Sequence, residues 1–142
     1  LGGQRIGNSF QRVAERQLVR ALEVHVEMYG RLGPILERCH AFVCPTNAIP
    51  SVPAERSPLY LDILINGKPA SRSVASAWFM TYPFNMLSQL PVISVPSGFA
   101  ANGVPTGIQI VSRAFDDLRV LDLAQVLENI RPWRDKRPDL LS

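Results

Sequence analysis

Phe10, Val13, Ala14, Leu18, Ala21, Leu22, His25, Met28 and Tyr29 recur at three- and four-residue steps. Between them stand Gln11, Arg12, Glu15, Arg16, Arg20, Glu23 and Glu27. One apolar stripe with a 3.6-residue period predicts an amphipathic helix over residues 9–29, with Asn8 or Ser9 as its N-cap. Gly30 and Gly33 are expected to end or bend it. Pro34, which has no backbone N–H to leave unsatisfied, suits the first turn of a short second helix reaching about Arg38.

The remainder reads as short elements joined by rigid turns, since most of the 12 prolines fall after Gly33. Residues 41–44 form an apolar run that stops at Pro45, a pattern that predicts a buried strand. Residues 61–65 lead into Asn66-Gly67, the dipeptide that favours a type I′ turn, so they predict half of a small hairpin with a weak return over residues 68–70. Residues 74–82 fit about two helical turns, with Pro83 limiting their extension. Val92-Ile93-Ser94-Val95 and residues 107–111 read as two strands of an antiparallel hairpin, joined by the turn-rich stretch 97–105. A last helix is predicted over residues 116–129, capped by Asp116, with Asp117 complementing its dipole. Its apolar residues leave only a narrow stripe of Arg119, Asp122, Gln125 and Glu128, which predicts burial on most sides. Residues 131–142 are polar with two prolines and read as a loosely held tail. The whole is expected to form one domain, residues 1–142.

Composition narrows the class. The chain is 46% hydrophobic and 19% charged, which is globular with little charge, as expected where other protein covers part of the surface. The net charge is +3, but the arginines are scattered and no basic run interleaves with aromatics, so nucleic acid is not an expected partner. Cys39 and Cys44 leave a disulfide and two free thiols both open. They are too few for a disulfide-built secreted scaffold, so the cytoplasm is the expected location. No stretch of about 18 apolar residues is present, so no membrane-spanning helix is expected. The sequence opens Leu1-Gly2-Gly3-Gln4-Arg5 without an initiating Met, and it is expected to be cut from something longer.

Chemistry-bearing motifs are mostly absent from the sequence. There is no Gly-x-Ser-x-Gly elbow, and neither Lys68 nor Lys136 has a serine three residues before it. Ser94 and Ser97 flank Pro96 and are expected to make turn hydrogen bonds. Cys39, His40 and Cys44 lack the spacing and the fourth ligand of a zinc site, so no metal is expected. His25 sits on the apolar face of the first helix as a packed residue, while Glu15, Glu23 and Glu27 form a solvated face. No Gly-rich phosphate loop precedes a helix.

A string of short phrases stands out instead: Phe42-Val43-Cys44-Pro45-Thr46; Thr81-Tyr82-Pro83-Phe84-Asn85; Ile93-Ser94-Val95-Pro96-Ser97-Gly98; Gly103-Val104-Pro105-Thr106-Gly107-Ile108-Gln109; and Phe115-Asp116-Asp117 opening a helix. In order and spacing they resemble the C-terminal segment of the amidase signature family, over roughly residues 9–133. Read physically, the phrases are structural. Gly103 and Pro105 set a turn, Gly107 permits close backbone approach, and Asn85 hydrogen-bonds the backbone after Pro83.

The resemblance implies an α/β fold: a C-terminal fragment of the amidase-signature mixed sheet, with a long N-terminal helix, short mostly antiparallel strands and a buried C-terminal helix. It implies a parent that hydrolyses carboxylic amides through a Ser–Ser–Lys triad, with no cofactor and no metal. The triad belongs to the family's N-terminal portion, so no catalytic residue is assigned here. Trp78, Thr81, Tyr82 and Asn85 are the substrate-binding residues that the resemblance implies. Its partners would be a small-molecule amide, the missing N-terminal half of the domain and a second copy in a homo-oligomer. Amidotransferase A subunits usually carry an acid seven positions before the Asn of the Thr-x-Pro-x-Asn phrase, where this chain has Trp78. An indole cannot pair with an ammonium group but packs well on an apolar acyl or aryl group. That favours a free-standing amidase over its alternatives, a fragment of a glutamyl-tRNA amidotransferase A subunit or a non-catalytic interaction module. The competing role for Trp78 is a core residue beneath the 92–95 strand.

Overall fold

The computed structural model describes residues 2–52, 63–70 and 77–135, with side chains in the first helix described from Glu15 onward. The chain divides into two compact units, Leu1–Arg38 and Cys39–Ser142.

The first unit is a single helix, α1 (Gly2–Leu36), with Pro34 inside it. It starts earlier than the residue 8–9 cap and runs through the expected break. Pro34 removes only the hydrogen bond to the Gly30 carbonyl, two residues from the helix end. The ladder resumes at once, since the Glu37 N–H reaches the Gly33 carbonyl at 3.0 Å. Gly33 has its own packing reason: a Cβ there would lie 3.3 Å from the Tyr29 ring. Arg20 pairs with Glu23 at 3.0 Å and Arg31 with Glu27 at 2.6 Å, on exposed surface where such pairs contribute little. Leu18, Leu22 and Val26 are also exposed.

The second unit is built on a three-stranded sheet of β1 (Phe42–Pro45), β4 (Val92–Phe99) and β5 (Pro105–Val111) in the order β1-β5-β4. Both pairings are antiparallel, with Phe42 opposite Val111 in one and Val92 opposite Val111 in the other. The β4–β5 hairpin is longer than its sequence pattern indicated, and only residues 100–104 form its loop. Gly103 takes φ +79° there and donates to the Ala100 carbonyl at 2.9 Å. The register shifts between Pro96 and Gly98, making Ser97 the extra residue of a bulge, and Gly98 absorbs the irregularity at φ +138°. β2 (Leu64–Ile65) and β3 (Lys68–Pro69) form the small hairpin. Asn66 at φ 51° and Gly67 at φ 75° give it the expected turn, while residues 61 and 62 lie outside the described residues.

Helix α3 (Asp117–Ile130) packs on one face of the sheet. Val95, Ile110, Val120 and Ala124 form the buried cluster, with Ile93, Ile108, Leu123, Leu127 and Trp133 around it. Three expectations change. β1 is an edge strand, with Phe42 and Val43 exposed. α3 buries only Val120 and Ala124, because the sheet face covers one side of the helix, and Leu118, Leu121, Val126 and Ile130 face outward. Asp116 occupies the N-cap position but makes no cap bond with its side chain; its carboxylate instead lies 3.2 Å from Arg113 and 3.5 Å from Arg119.

The other sheet face holds Gln109, only 1% exposed. Its side-chain N–H groups donate to the Pro45 carbonyl at 3.1 Å and the Met80 carbonyl at 2.8 Å. Thr46 and Asn47 continue from β1 alongside the segment around Phe79: Asn47 bridges Phe79, Ala48 N donates to Trp78 O at 2.8 Å and Met80 N to Thr46 O at 3.0 Å. Gly107 is required at this crossing, because a Cβ would meet Thr46 Oγ1 at 3.3 Å and the Val95 carbonyl at 3.5 Å. Replacing Gln109 with Leu keeps the volume but removes both donors. It should lower unfolding free energy by about 2–3 kcal/mol, measured by urea denaturation. A loss below about 0.5 kcal/mol would mean that Gln109 does not hold the two segments together.

Candidate substrate-binding site

The four residues singled out in the sequence lie on one continuous stretch. Residues 77–80 are a turn and a bridge, not helix. Helix α2 (Tyr82–Met86) begins where the predicted helix was to end, with Pro83 in its first turn. Proline has the φ of a helix start and no N–H to waste there, so it opens this element instead of closing one. Residues 74–76 of the expected helix lie outside the described residues. The Thr81 carbonyl accepts from Phe84 N at 3.1 Å and Asn85 N at 3.2 Å, which makes the expected backbone bond of Asn85 a main-chain one.

Trp78 is buried, at 7% exposure, and is not among the residues clustered around Val95 beneath α3. Its ring lies 4.3 Å from that of Phe79, which meets Tyr82 edge-on at 5.6 Å. Tyr82 is exposed, as is Asn85, and Thr81 is half-buried. The stretch therefore presents an aromatic run that passes from interior to surface within five residues. The indole Nε1–H of Trp78 is buried and has no hydrogen-bond partner among the described residues. A buried donor without an acceptor costs about 1–3 kcal/mol.

Gln109 and Met80 position this stretch, and neither was singled out as a site residue. The available signal was a polar residue inside the apolar run Gly107-Ile108-Gln109-Ile110-Val111. Ser97 makes its expected polar contact, with its hydroxyl 2.9 Å from that of Thr106. Cys39 and Cys44 are free thiols, exposed and half-buried respectively. Burial pushes the Cys44 thiol above its ordinary value of 9.0, partly opposed by a hydrogen bond from Gln109. Among the described residues no group of His, Cys, Asp or Glu can hold a metal, and no helix is long and apolar enough to cross a membrane.

Residues 78–85 present aromatic surface and one spare donor, and hold no serine, cysteine, histidine, lysine or carboxylate. Their setting is supplied by comparison with known proteins. The Amidase family profile matches residues 4–121, and the chain belongs to that family. It is 51% identical over 61 residues to an acylamidase of Rhodococcus erythropolis, covering 43% of this chain and 13% of that protein. It is 32% identical over 110 residues to the putative amidase AmiA2 of Mycobacterium bovis, covering 78% of this chain and 22% of that one. The crystal structure of the A subunit of glutamyl-tRNA(Gln) amidotransferase from Thermotoga maritima superposes with a TM-score of 0.60 at 26% identity, over 91% of this chain and 26% of that chain. The chain thus spans about a quarter or less of the length of these relatives, and its α/β architecture with antiparallel strands is that of a segment of the family fold.

Thiol chemistry offers a check on the packing behind the site. The fold disfavours the Cys44 thiolate, so iodoacetamide at pH 8 should alkylate exposed Cys39 well before Cys44, as read by peptide mass spectrometry. Because the thiol holds its proton more tightly folded than unfolded, its contribution to stability is present below the ordinary value and is lost as pH rises past it. Equal alkylation rates would show that Cys44 is not shielded against Gln109.

Proposed function

We propose that this chain is the C-terminal part of an amidase that hydrolyses carboxylic amides, with residues 78–85 forming one wall of the substrate site. Membership of the Amidase family over residues 4–121 carries the reading of the reaction. The chemistry that the family resemblance implies is nucleophilic attack by a serine, with a lysine as the ultimate base and backbone N–H groups stabilising the oxyanion. None of those parts is assigned to these residues. They belong to the remainder of the domain, which is this chain's first partner. The reading places the protein in the cytoplasm and gives it no cofactor.

The substrate preference rests on Trp78. A buried indole beside Phe79 and Tyr82 offers apolar area and one N–H donor, which suits an acyl or aryl group with an acceptor oxygen. Thr81 and Asn85 edge the same wall. A second reading, the A subunit of an amidotransferase that draws ammonia from glutamine, has support from the crystal structure that the chain resembles. It requires a group that pairs with the substrate ammonium, and Trp78 supplies none. The outward-facing apolar residues of α1 and α3 support self-association, in a homo-oligomer that the remainder of the domain would complete.

The isolated 142-residue chain should show no turnover of aliphatic or aryl amides; activity lost on a single Ser→Ala change within it would overturn the proposal. In the complete protein, Trp78→Ala should shift relative kcat/KM between small and bulky amides by roughly 1–3 kcal/mol. A core tryptophan would instead cost about 3–5 kcal/mol of stability and leave preference unchanged. Release of ammonia from glutamine at a rate matching that from aryl amides would favour the second reading.

A further inference from the structure

Between the loop end of the β4–β5 hairpin and the C-terminal end of α3, the second unit holds a pocket of about 940 Å³. Its apolar lining comes from Pro96, Phe99, Ile108, Leu127 and Trp133, and Arg131 stands among them. That volume lies in the range of small-molecule sites, which are mainly apolar with a few placed polar groups. Ser97, the bulge residue, is part of the lining, and bulges are common beside functional sites.

Arg131 sets the chemistry. Its backbone N–H closes α3 on the Leu127 carbonyl at 2.8 Å, so the residue is held at the pocket edge. Its Nη2 lies 3.9 Å from where a Cβ on Gly98 would be. Nearby in sequence, Arg134 is engaged by Glu128 at 3.4 Å. Arg131 has no carboxylate partner among the described residues. The local field is otherwise wrong for an anion, because the carbonyl end of α3 carries partial negative charge. Anion binding here therefore depends on one guanidinium at the rim above an apolar interior.

We propose that this pocket binds amphiphilic carboxylates, with the alkyl or aryl body between Phe99, Leu127 and Trp133 and the carboxylate on Arg131. Charge complementarity selects the head group and the apolar walls select the tail. The inference does not depend on the amide-hydrolysis reading, since it uses only residues of this chain.

The test titrates the 142-residue chain with octanoate and with octanamide, its neutral isostere, following backbone amide shifts by NMR. Octanoate should bind with shifts confined to residues 96–99, 103–108 and 127–133, roughly tenfold more tightly than octanamide. Arg131→Gln, an exposed change, should weaken octanoate by roughly that factor and leave octanamide and the thermal melt unchanged, while Arg131→Lys should recover part of the loss. Equal affinity for the two ligands, an unaltered affinity in Arg131→Gln, shifts elsewhere or no binding at millimolar ligand would overturn the proposal. So would pocket resonances that move with protein concentration alone, because a second copy of the chain would then be the occupant.

Discussion

The second unit depends on one buried amide. Gln109 sits mid-strand in β5, with Ile110 and Val111 following it into the interior, and its side-chain N–H groups reach the carbonyls of Pro45 and Met80. A buried primary amide without acceptors would be costly, and so would two carbonyls without a donor. Each therefore requires the other. This ties the end of β1 to β5 and places the segment carrying Trp78 against both. Proline at residue 45 makes the arrangement necessary in part, since a strand residue without an N–H depends on its carbonyl for pairing.

The same crossing explains why small and polar residues interrupt an otherwise apolar strand. Gly107 lets Thr46 come within contact of the backbone, and Thr46 uses both its N–H and its hydroxyl on the Gly107 carbonyl, at 3.0 and 3.1 Å. On the opposite sheet face the logic is apolar: Val95 and Ile110 meet Val120 and Ala124, whose small side chain brings α3 close. The two faces thus do different work. One anchors the helix by burial, and the other aims the aromatic wall by hydrogen bonds.

Exposed apolar residues are the counterpart of this arrangement. α3 has far more apolar circumference than one sheet face covers, and among the described residues β1 and β4 leave open edges. The chain spans about a quarter or less of its relatives' length, and the proposed interface with further amidase sequence would cover surface that a self-sufficient unit would make polar. The low overall charge of the sequence points the same way.

The sequence by itself determined the elements whose signal is local. Alternation of apolar residues gave the β4–β5 hairpin, Asn66-Gly67 gave a turn that only positive φ at both positions permits, and 3.6-residue periodicity gave the two long helices. The ordered phrases from Phe42 to Asp117 were enough to place the chain in its family, because turn residues at fixed offsets record backbone geometry directly. Tertiary structure decided the rest. Pro34 is tolerated in α1 and Pro83 opens α2, because one missing hydrogen bond is judged against the whole element and not by residue type. β1 became an edge strand and α3 a half-buried helix, because burial depends on which neighbours are present, and an apolar run does not specify them. Trp78 is marked in the sequence by its place in a phrase; its buried indole, unpartnered among the described residues, emerges only where residues 46–48 and 78–80 meet, some thirty residues apart in the chain. That meeting is long-range, and its traces in the sequence are Gly107 and a glutamine where the pattern calls for another isoleucine.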